Sequence, residues 1–201
     1  MVHPIVVLGI GGSPRAGSTS ERALKISLEE AERQGARVEM ITGAELNLPL
    51  YDPGTSLRTP HAQQLVRQIA AADGLLVATP AYHGTVSGLI KNALDYVEDL
   101  REDGRPYFTG RAVGCLSVGQ GWQGPVSALA ALRSTVHALR GWPTPLAVPV
   151  NTETCGLGTD GGCTDPHVRD QLRLVGSQVV EFAKMSRALE ASSLVGLRAG
   201  G

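Results

Sequence analysis

The sequence predicts an α/β fold: a doubly wound, five-stranded parallel sheet of order 2-1-3-4-5, covered by helices on both faces in three layers. Three observations carry this prediction. Five short apolar runs alternate along the chain with amphipathic stretches of helical spacing. The first run, Ile5-Val6-Val7-Leu8-Gly9-Ile10, opens onto a turn rich in glycine and hydroxyl residues that leads into a helix. Right-handed crossovers leave two doubly wound orders, and 2-1-3-4-5 uses all five runs and brings the loops after strands one and three together.

The elements follow in order. Strand one ends near Gly11, and helix one covers Ser20 to Gln34, with Leu24, Leu28 and Ala31 on one face. Gly35 stops it, and Ala36–Ile41 is strand two. The stretch to Pro60 holds Pro49, Pro53 and Gly54 and reads as a long surface loop. Helix two spans His61–Ala72, strand three Leu75–Thr79, and Pro80 ends that strand. Helix three covers Ser87–Leu100, strand four Ala112–Val118, and helix four Pro125–Leu139, with proline in a favourable first turn. Leu146–Val150 is strand five, with an awkward Pro149 near its end. Helix five spans Pro166–Ala188, with Leu172, Val175, Val179 and Phe182 on one face. The domain is expected over 1–190, and the small, polar segment 191–201 as a fraying tail.

Composition bounds the function. The chain has 201 residues, enough for one domain with a substantial core. A formal net charge of −1 gives no electrostatic case for nucleic acid or anionic membrane as partner. No apolar run approaches the ~20 residues that span a bilayer, and the N-terminus lacks a basic segment and a cleavage site. A cytoplasmic protein is the expectation. Three cysteines, an odd count, argue against a disulfide framework. Cys115 lies in an apolar run and reads as a small buried hydrophobe. Cys155 and Cys163 have seven residues between them, too wide for C-x-x-C, and read as two free loop thiols rather than a redox pair.

The chemistry-bearing stretch is the loop Gly11-Gly12-Ser13-Pro14-Arg15-Ala16-Gly17-Ser18-Thr19-Ser20. It joins a strand's C-terminal end to a helix N-terminus, where unpaired N–H groups and partial positive charge attract anions. Ser13, Ser18, Thr19 and Ser20 add hydroxyls and Arg15 a guanidinium. Ser18 with Glu21 also fits a capping box, but five donor side chains exceed what a cap needs. The loop is not a Walker loop, because no Gly-Lys-Ser/Thr follows. It is a poor dinucleotide fingerprint, because Pro14 stands where the third glycine should be and strand two does not end on an acid placed for a ribose, with Glu39 and Glu45 only loose candidates.

Two further loops would face the same ligand. After strand three come Pro80, Ala81, Tyr82, His83, Gly84 and Thr85, offering an aromatic face, an imidazole and backbone N–H groups. After strand four come Gly119, Gln120 and Gly121, where glycines let main chain approach a flat ligand and expose its N–H groups. Trp122 follows, suited to capping a pocket or anchoring a subunit contact.

The G-S-P-R-x-x-S-T-S pattern resembles the FMN-phosphate loop of the NAD(P)H-dependent FMN reductases, a flavodoxin-like family. The stretch from Pro80 through Lys91, Asn92 and Asp95 resembles the family's P-x-Y…G-x-L-K-N-x-x-D block, with His83 where many relatives have asparagine and Gly88 where many have proline. The Gly119–Gly121 segment matches the third flavin-contacting loop. The resemblance covers Ile5 to Val150. It implies FMN as cofactor, held by Ser13, Arg15, Ser18, Thr19, Ser20, Pro80, Ala81, Tyr82, His83, Gly84, Thr85, Gly119, Gln120 and Gly121. It implies NADPH or NADH as co-substrate, hydride transfer to the flavin and then to an acceptor, and no side chain as catalytic acid or base. A quinone- or azo-type reductase with retained FMN, a flavodoxin-like electron carrier and a nicotinamide-binding Rossmann enzyme are the alternatives. The carrier is disfavoured by the near-neutral charge, and the Rossmann enzyme by Pro14 and the missing ribose acid. Small-molecule substrates and a homodimer or homotetramer are implied, with Leu94, Tyr96, Val97 and Leu139 as candidate contact residues.

Overall fold

A computed structural model describes residues 3–159 and 162–199. Residues 160–161 of the loop between the cysteines, and 200–201 of the expected tail, lie outside the described residues.

The sheet has β1 (Val6–Gly11), β2 (Arg37–Thr42), β3 (Gly74–Pro80), β4 (Ala112–Gly119), β5 (Trp142–Pro143) and β6 (Val148–Asn151), all paired in parallel. The order is β2-β1-β3-β4-β5, with β6 also on β4. The chain reverses its direction of winding between β1 and β3, so a crevice opens beyond the carboxyl ends of those two strands.

The expected fifth strand is thus two short pieces along one edge of β4. Trp142 and Pro143 pair with Ala112 and Val113, and Val148–Asn151 pair with Leu116–Gly119. Prolines at 143, 145 and 149 explain the break, because each removes a ladder donor and only an edge position tolerates that.

The helices are α1 (Thr19–Arg33), α2 (Pro60–Ala71), α3 (Gly88–Asp95), α4 (Gln123–Ala138) and α5 (Pro166–Ala199). The predicted third helix is α3 followed by a tighter 3-10 segment, Tyr96–Leu100. α5 continues well past the expected end at Ala188, through most of the segment read as a tail.

Alternation along each strand builds two cores. Val7, Leu76, Ala78, Leu116 and Val118 face α1 and α5, meeting Leu24, Leu28, Leu172, Val175 and Val179. Leu8, Ile10, Leu75, Val77, Val113 and Cys115 face α2, α3 and α4, meeting Leu65, Ile69, Ile90, Leu132 and Val136. Each fully buried aliphatic side chain contributes ~1.5–3 kcal/mol, so both faces hold the strand ends rigidly. Leu94, Tyr96 and Val97 are buried in the second core and Leu139 packs against it. Leu94, Tyr96 and Val97 serve the subunit's own interior, which corrects their expected place at a subunit contact, while Leu139 is half-buried.

The long segment before α2 is pinned rather than loose. Asn92 Oδ1 accepts from Tyr51 N–H at 2.9 Å, Asn92 Nδ2 donates to Pro49 O at 2.9 Å, and Tyr96 Oη donates to Pro49 O at 3.0 Å. Arg58 grips Asp99 through two N–H groups at 2.7 and 2.9 Å and lies over the rings of Tyr51 and Tyr96. Asn92 is therefore a structural clamp, while Lys91 and Asp95 form an exposed ion pair one helical turn apart.

Candidate functional site

A cleft of about 480 Å³ lies beyond the carboxyl ends of β1, β3, β4 and β6. One wall is the β1–α1 loop: Ser13, Arg15, Ser18, Thr19 and Ser20. The opposite wall is Pro80, Ala81 and Tyr82 after β3, Val118, Gly119 and Gln120 from β4, and Thr152 after β6. Among these lining residues there is no carboxylate, and Arg15 supplies a positive charge.

The first wall is a helix N-terminus prepared for an anion. Ser18 is the N-cap of α1, and its Oγ accepts from Glu21 N–H at 3.3 Å. The next amides back, of Thr19 and Ser20, have no intrahelical carbonyl to reach. Ser13 and Ser20 are buried, Ser20 Oγ lies 3.1 Å from Ser18 Oγ, and Ser13 Oγ accepts from Arg15 N–H at 3.3 Å. Glu21 is the nearby acid, and it is turned away and occupied. It accepts from Gly17 N–H at 2.9 Å and meets Lys25 at 2.7 Å. Burial opposes its charge, but the hydrogen bonds from Lys25 and Gly17 and the charges of Lys25 and Arg22 outweigh burial and hold its carboxyl below the usual value.

Buried polar side chains fix this loop to its neighbours. Gly12 N–H donates to Ala78 O at 2.8 Å, and Ser87 Oγ donates to Gly12 O at 2.8 Å. Ser87 also caps α3, and its amide donates to Thr79 Oγ1 at 2.9 Å. Gly12 must be glycine here: a Cβ would stand 2.2 Å from Ile90 Cγ1 and 2.9 Å from Ser87 Oγ.

Beyond β3, Tyr82 and Thr85 exchange two N–H···O bonds of 3.1 Å around His83 and Gly84. Both turn residues have positive φ, 51° and 83°, as a two-residue hairpin turn demands. The turn presents Tyr82, 46% exposed, at the cleft rim. His83, Gly84 and Thr85 are not in the cleft wall, and the Thr85 amide, expected as a free donor, is spent on Tyr82. The Gly121 amide, also expected as a donor, is taken by Asn151 Oδ1 at 2.9 Å. Asn151 Oδ1 additionally accepts from Glu153 N–H at 3.0 Å, and Thr152 N–H donates to Gly119 O at 2.9 Å. Asn151 thereby joins the ends of β4 and β6.

Residues 5–154 match the family model described as NADPH-dependent FMN reductase. The chain belongs to that family. The matched stretch contains every residue of the cleft wall. A relative named NAD(P)H-dependent FMN reductase, from Pseudomonas aeruginosa, is 36% identical over 140 residues, covering 68% of this chain and 71% of its own. A relative named NADPH azoreductase, from a Bacillus species, is 30% identical over 154 residues, covering 76% and 78%. In structure the chain resembles FerB of Paracoccus denitrificans, a flavoenzyme NAD(P)H:(acceptor) oxidoreductase. That likeness has a TM-score of 0.71 at 23% identity, covering 90% of this chain and 98% of the other. The fold is flavodoxin-like.

Ten of the fourteen residues singled out from sequence line the cleft: the five of the first loop with Pro80, Ala81, Tyr82, Gly119 and Gln120. Val118 and Thr152 line it as well and were not anticipated. The carboxyl-end rule applied to the last strand would have pointed to Thr152. Ser87, Thr79 and Asn151 were also missed, because their work is holding loops to one another. Among the described residues, no helix is long and apolar enough to cross a membrane.

Proposed function

We propose that this chain is an FMN-dependent NAD(P)H oxidoreductase that holds FMN in the cleft beyond β1, β3 and β4. The observation that carries this reading is the donor set of the first loop. Four hydroxyls, first-turn amides of α1 and Arg15 converge on a space without carboxylates, the chemistry that fits a dianionic phosphate. The rest of the cleft fits a flat, partly apolar ring: Pro80, Ala81, Tyr82, Val118 and Gly119 supply apolar and main-chain surface. The volume lies within the ~300–1,000 Å³ of small-molecule sites.

The chemistry FMN supplies when bound is acceptance of hydride from NAD(P)H and delivery of electrons to an acceptor. The chain's own residues bind and orient. Ser13, Ser18, Thr19 and Ser20 donate to phosphate oxygens, and Arg15 balances their charge. Tyr82 covers an open rim and excludes water, and Gln120 offers a polar contact beside it. Trp122, 52% exposed next to this loop, offers a flat surface to a co-substrate or a second subunit. The acceptor is either a flavin or an azo or quinone compound; the Bacillus relative named an azoreductase favours testing the second class.

The reading includes one domain over 1–190 working in the cytoplasm as a homodimer or homotetramer. Exposed Trp122 and Val126 beside the cleft, rather than the buried face of α3, supply the apolar contact. Calorimetry tests the cofactor: FMN should bind more tightly than riboflavin, and equal affinities would remove the phosphate from the loop. NADH and NADPH oxidation with and without added FMN tests the reaction, and light scattering the assembly.

A further inference from the structure

Two cysteines that the proposed reaction does not use stand together after β6, outside the cleft wall. Cys155 N–H donates to Asn151 O at 2.9 Å, fixing the first cysteine to the end of β6. The chain then doubles back on itself before α5. Leu157 and Cys163 face each other as an antiparallel bridge, Gly158 N–H donates to Gly162 O at 2.7 Å, and Thr164 N–H donates to Gly156 O at 2.9 Å. That register puts Cys155 and Cys163 on the same face of the two arms, diagonally opposed. Arg22 of α1 donates to Leu157 O at 2.7 Å and anchors the first arm. The Cys155 and Cys163 sulfurs lie 3.4 Å apart.

Seven intervening residues argue against a pair in sequence, and the hairpin register cancels that separation. The sulfurs need to close by only ~1.4 Å to reach the ~2.0 Å of a disulfide. The two are also unlike in access. Cys155 is 2% exposed, packed in the core under α1 and α5. Cys163 is half-buried and opens on a shallow groove with Leu157 and Thr164. Burial, the hydrogen bond with Cys163 and that neighbour's charge push the Cys155 thiol up to about 11. Among the described residues no group of three or more His, Cys, Asp or Glu side chains could hold a metal, and a structural zinc site needs four ligands.

We propose that Cys155 and Cys163 are a reversible dithiol–disulfide couple that exchanges with low-molecular-weight disulfides of the glutathione type. The Cys163 thiolate, the accessible one, attacks one sulfur of the small disulfide. A mixed disulfide forms on Cys163, the small molecule's S–S bond breaks, and its first thiolate leaves and takes a proton. Cys155 then loses its proton to solvent and attacks the Cys163 sulfur. The protein disulfide forms as the second small thiolate leaves. Two protein thiols are oxidised and one small disulfide is reduced to two thiols, and excess small thiol runs the sequence backwards. A buried, high-pKa thiol is a slow nucleophile, but its placement beside Cys163 offsets that by effective concentration.

The test uses the full-length protein in buffers of graded oxidised-to-reduced glutathione ratio, quenched with acid, then alkylated under denaturing conditions and mapped by mass spectrometry. The expected result is loss of two of the three alkylatable thiols at the oxidising end, with peptides containing Cys155 and Cys163 joined and Cys115 still free. Dithiothreitol should restore all three. In Cys155→Ser a stable glutathione adduct should accumulate on Cys163, and in Cys163→Ser no adduct should form at Cys155 in the native protein. Three thiols remaining at every ratio would overturn the proposal, as would a lasting adduct on wild-type Cys163 with Cys155 free. The wild-type measurement alone decides the matter if a variant does not fold. The readout is the state of the thiols, not flavin binding or turnover, so its outcome is independent of the FMN reading.

Discussion

Replacing Ser87 by alanine removes one oxygen that does two jobs. Ser87 Oγ donates to Gly12 O at 2.8 Å and accepts from Ile90 N–H at 3.2 Å, as the N-cap of α3. The site is 3% exposed, so water cannot replace either bond in the folded protein. Loss of an N-cap costs ~0.5–2 kcal/mol, and a buried carbonyl left without its donor costs ~1–3 kcal/mol. Both losses come from one atom and overlap, so the sum is taken as ~2–3 kcal/mol. The Ser87 amide bond to Thr79 Oγ1 survives, which keeps the backbone path and limits the damage. With a urea m-value of ~2 kcal/mol/M, the unfolding midpoint should fall by ~1–1.5 M without a change in m. FMN affinity should fall too, because Gly12 precedes the phosphate loop directly, although Ser87 is not in the cleft wall. A midpoint shift below ~0.25 M would mean that the joint between the two loops does not depend on this hydroxyl.

Three further predictions concern the cleft and its support. Arg15→Ala should weaken FMN binding by ~1.5–2 kcal/mol, about 10–30-fold, the lower part of the range for charged hydrogen bonds because Arg15 is exposed; an unchanged Kd by calorimetry would place Arg15 outside the phosphate site. Gly121→Val should lower NAD(P)H oxidation while leaving much of the FMN affinity. A Cβ there meets open space, so the strain comes from the φ of +66°, worth ~1–2 kcal/mol. Wild-type turnover in a folded variant would remove this loop from the site. Glu21 has a folded pKa below its ordinary value of 4.5, so its stabilising contribution is complete above that pH. That contribution is lost as pH falls through the lower folded value. Denaturation curves between pH 6 and ~3 should therefore flatten in Glu21→Gln relative to wild type, and parallel curves would show that Glu21 contributes no acid sensitivity.

The sheet was legible because its strands are covered on both faces. Such strands need apolar residues at every position, and Leu75-Leu76-Val77-Ala78 shows it: Leu75 and Val77 pack on one side, Leu76 and Ala78 on the other. The cleft was legible for the same topological reason, since strands that end together put their loops together. Hydrogen-bond partners were not legible. Thr85 and Gly121 look like free amide donors in a glycine-rich string, yet their partners are Tyr82 O and Asn151 Oδ1. Asn151 lies 30 residues from Gly121 in sequence, and no local pattern announces it. The split of the last strand was half legible: Pro149 warned of an edge, but Trp142 and Pro143 are too short a run to read as a strand.

The capping and phosphate-binding readings of the first loop looked like rivals in the sequence, and the geometry reconciles them. A serine hydroxyl has two acceptor sites and one donor hydrogen. Ser18 Oγ spends one acceptor site on Glu21 N–H, which leaves its hydrogen to orient toward Ser20 Oγ or toward an anion. The cap is thus a support for the binding site: it sets the first turn of α1 in place and leaves the amides of Thr19 and Ser20 aimed beyond the helix end. Glu21 completes the arrangement by taking the Gly17 amide, an interaction that bends the loop back over the helix start while Lys25 neutralises the carboxylate. An anion arriving at this loop meets a helix end whose cap is already made, a pair of hydroxyls that need only turn from each other, and an acid whose charge is answered. On the proposed reading, that preorganisation lets a short hydroxyl-rich turn do what other folds do with a longer glycine-rich loop and a lysine.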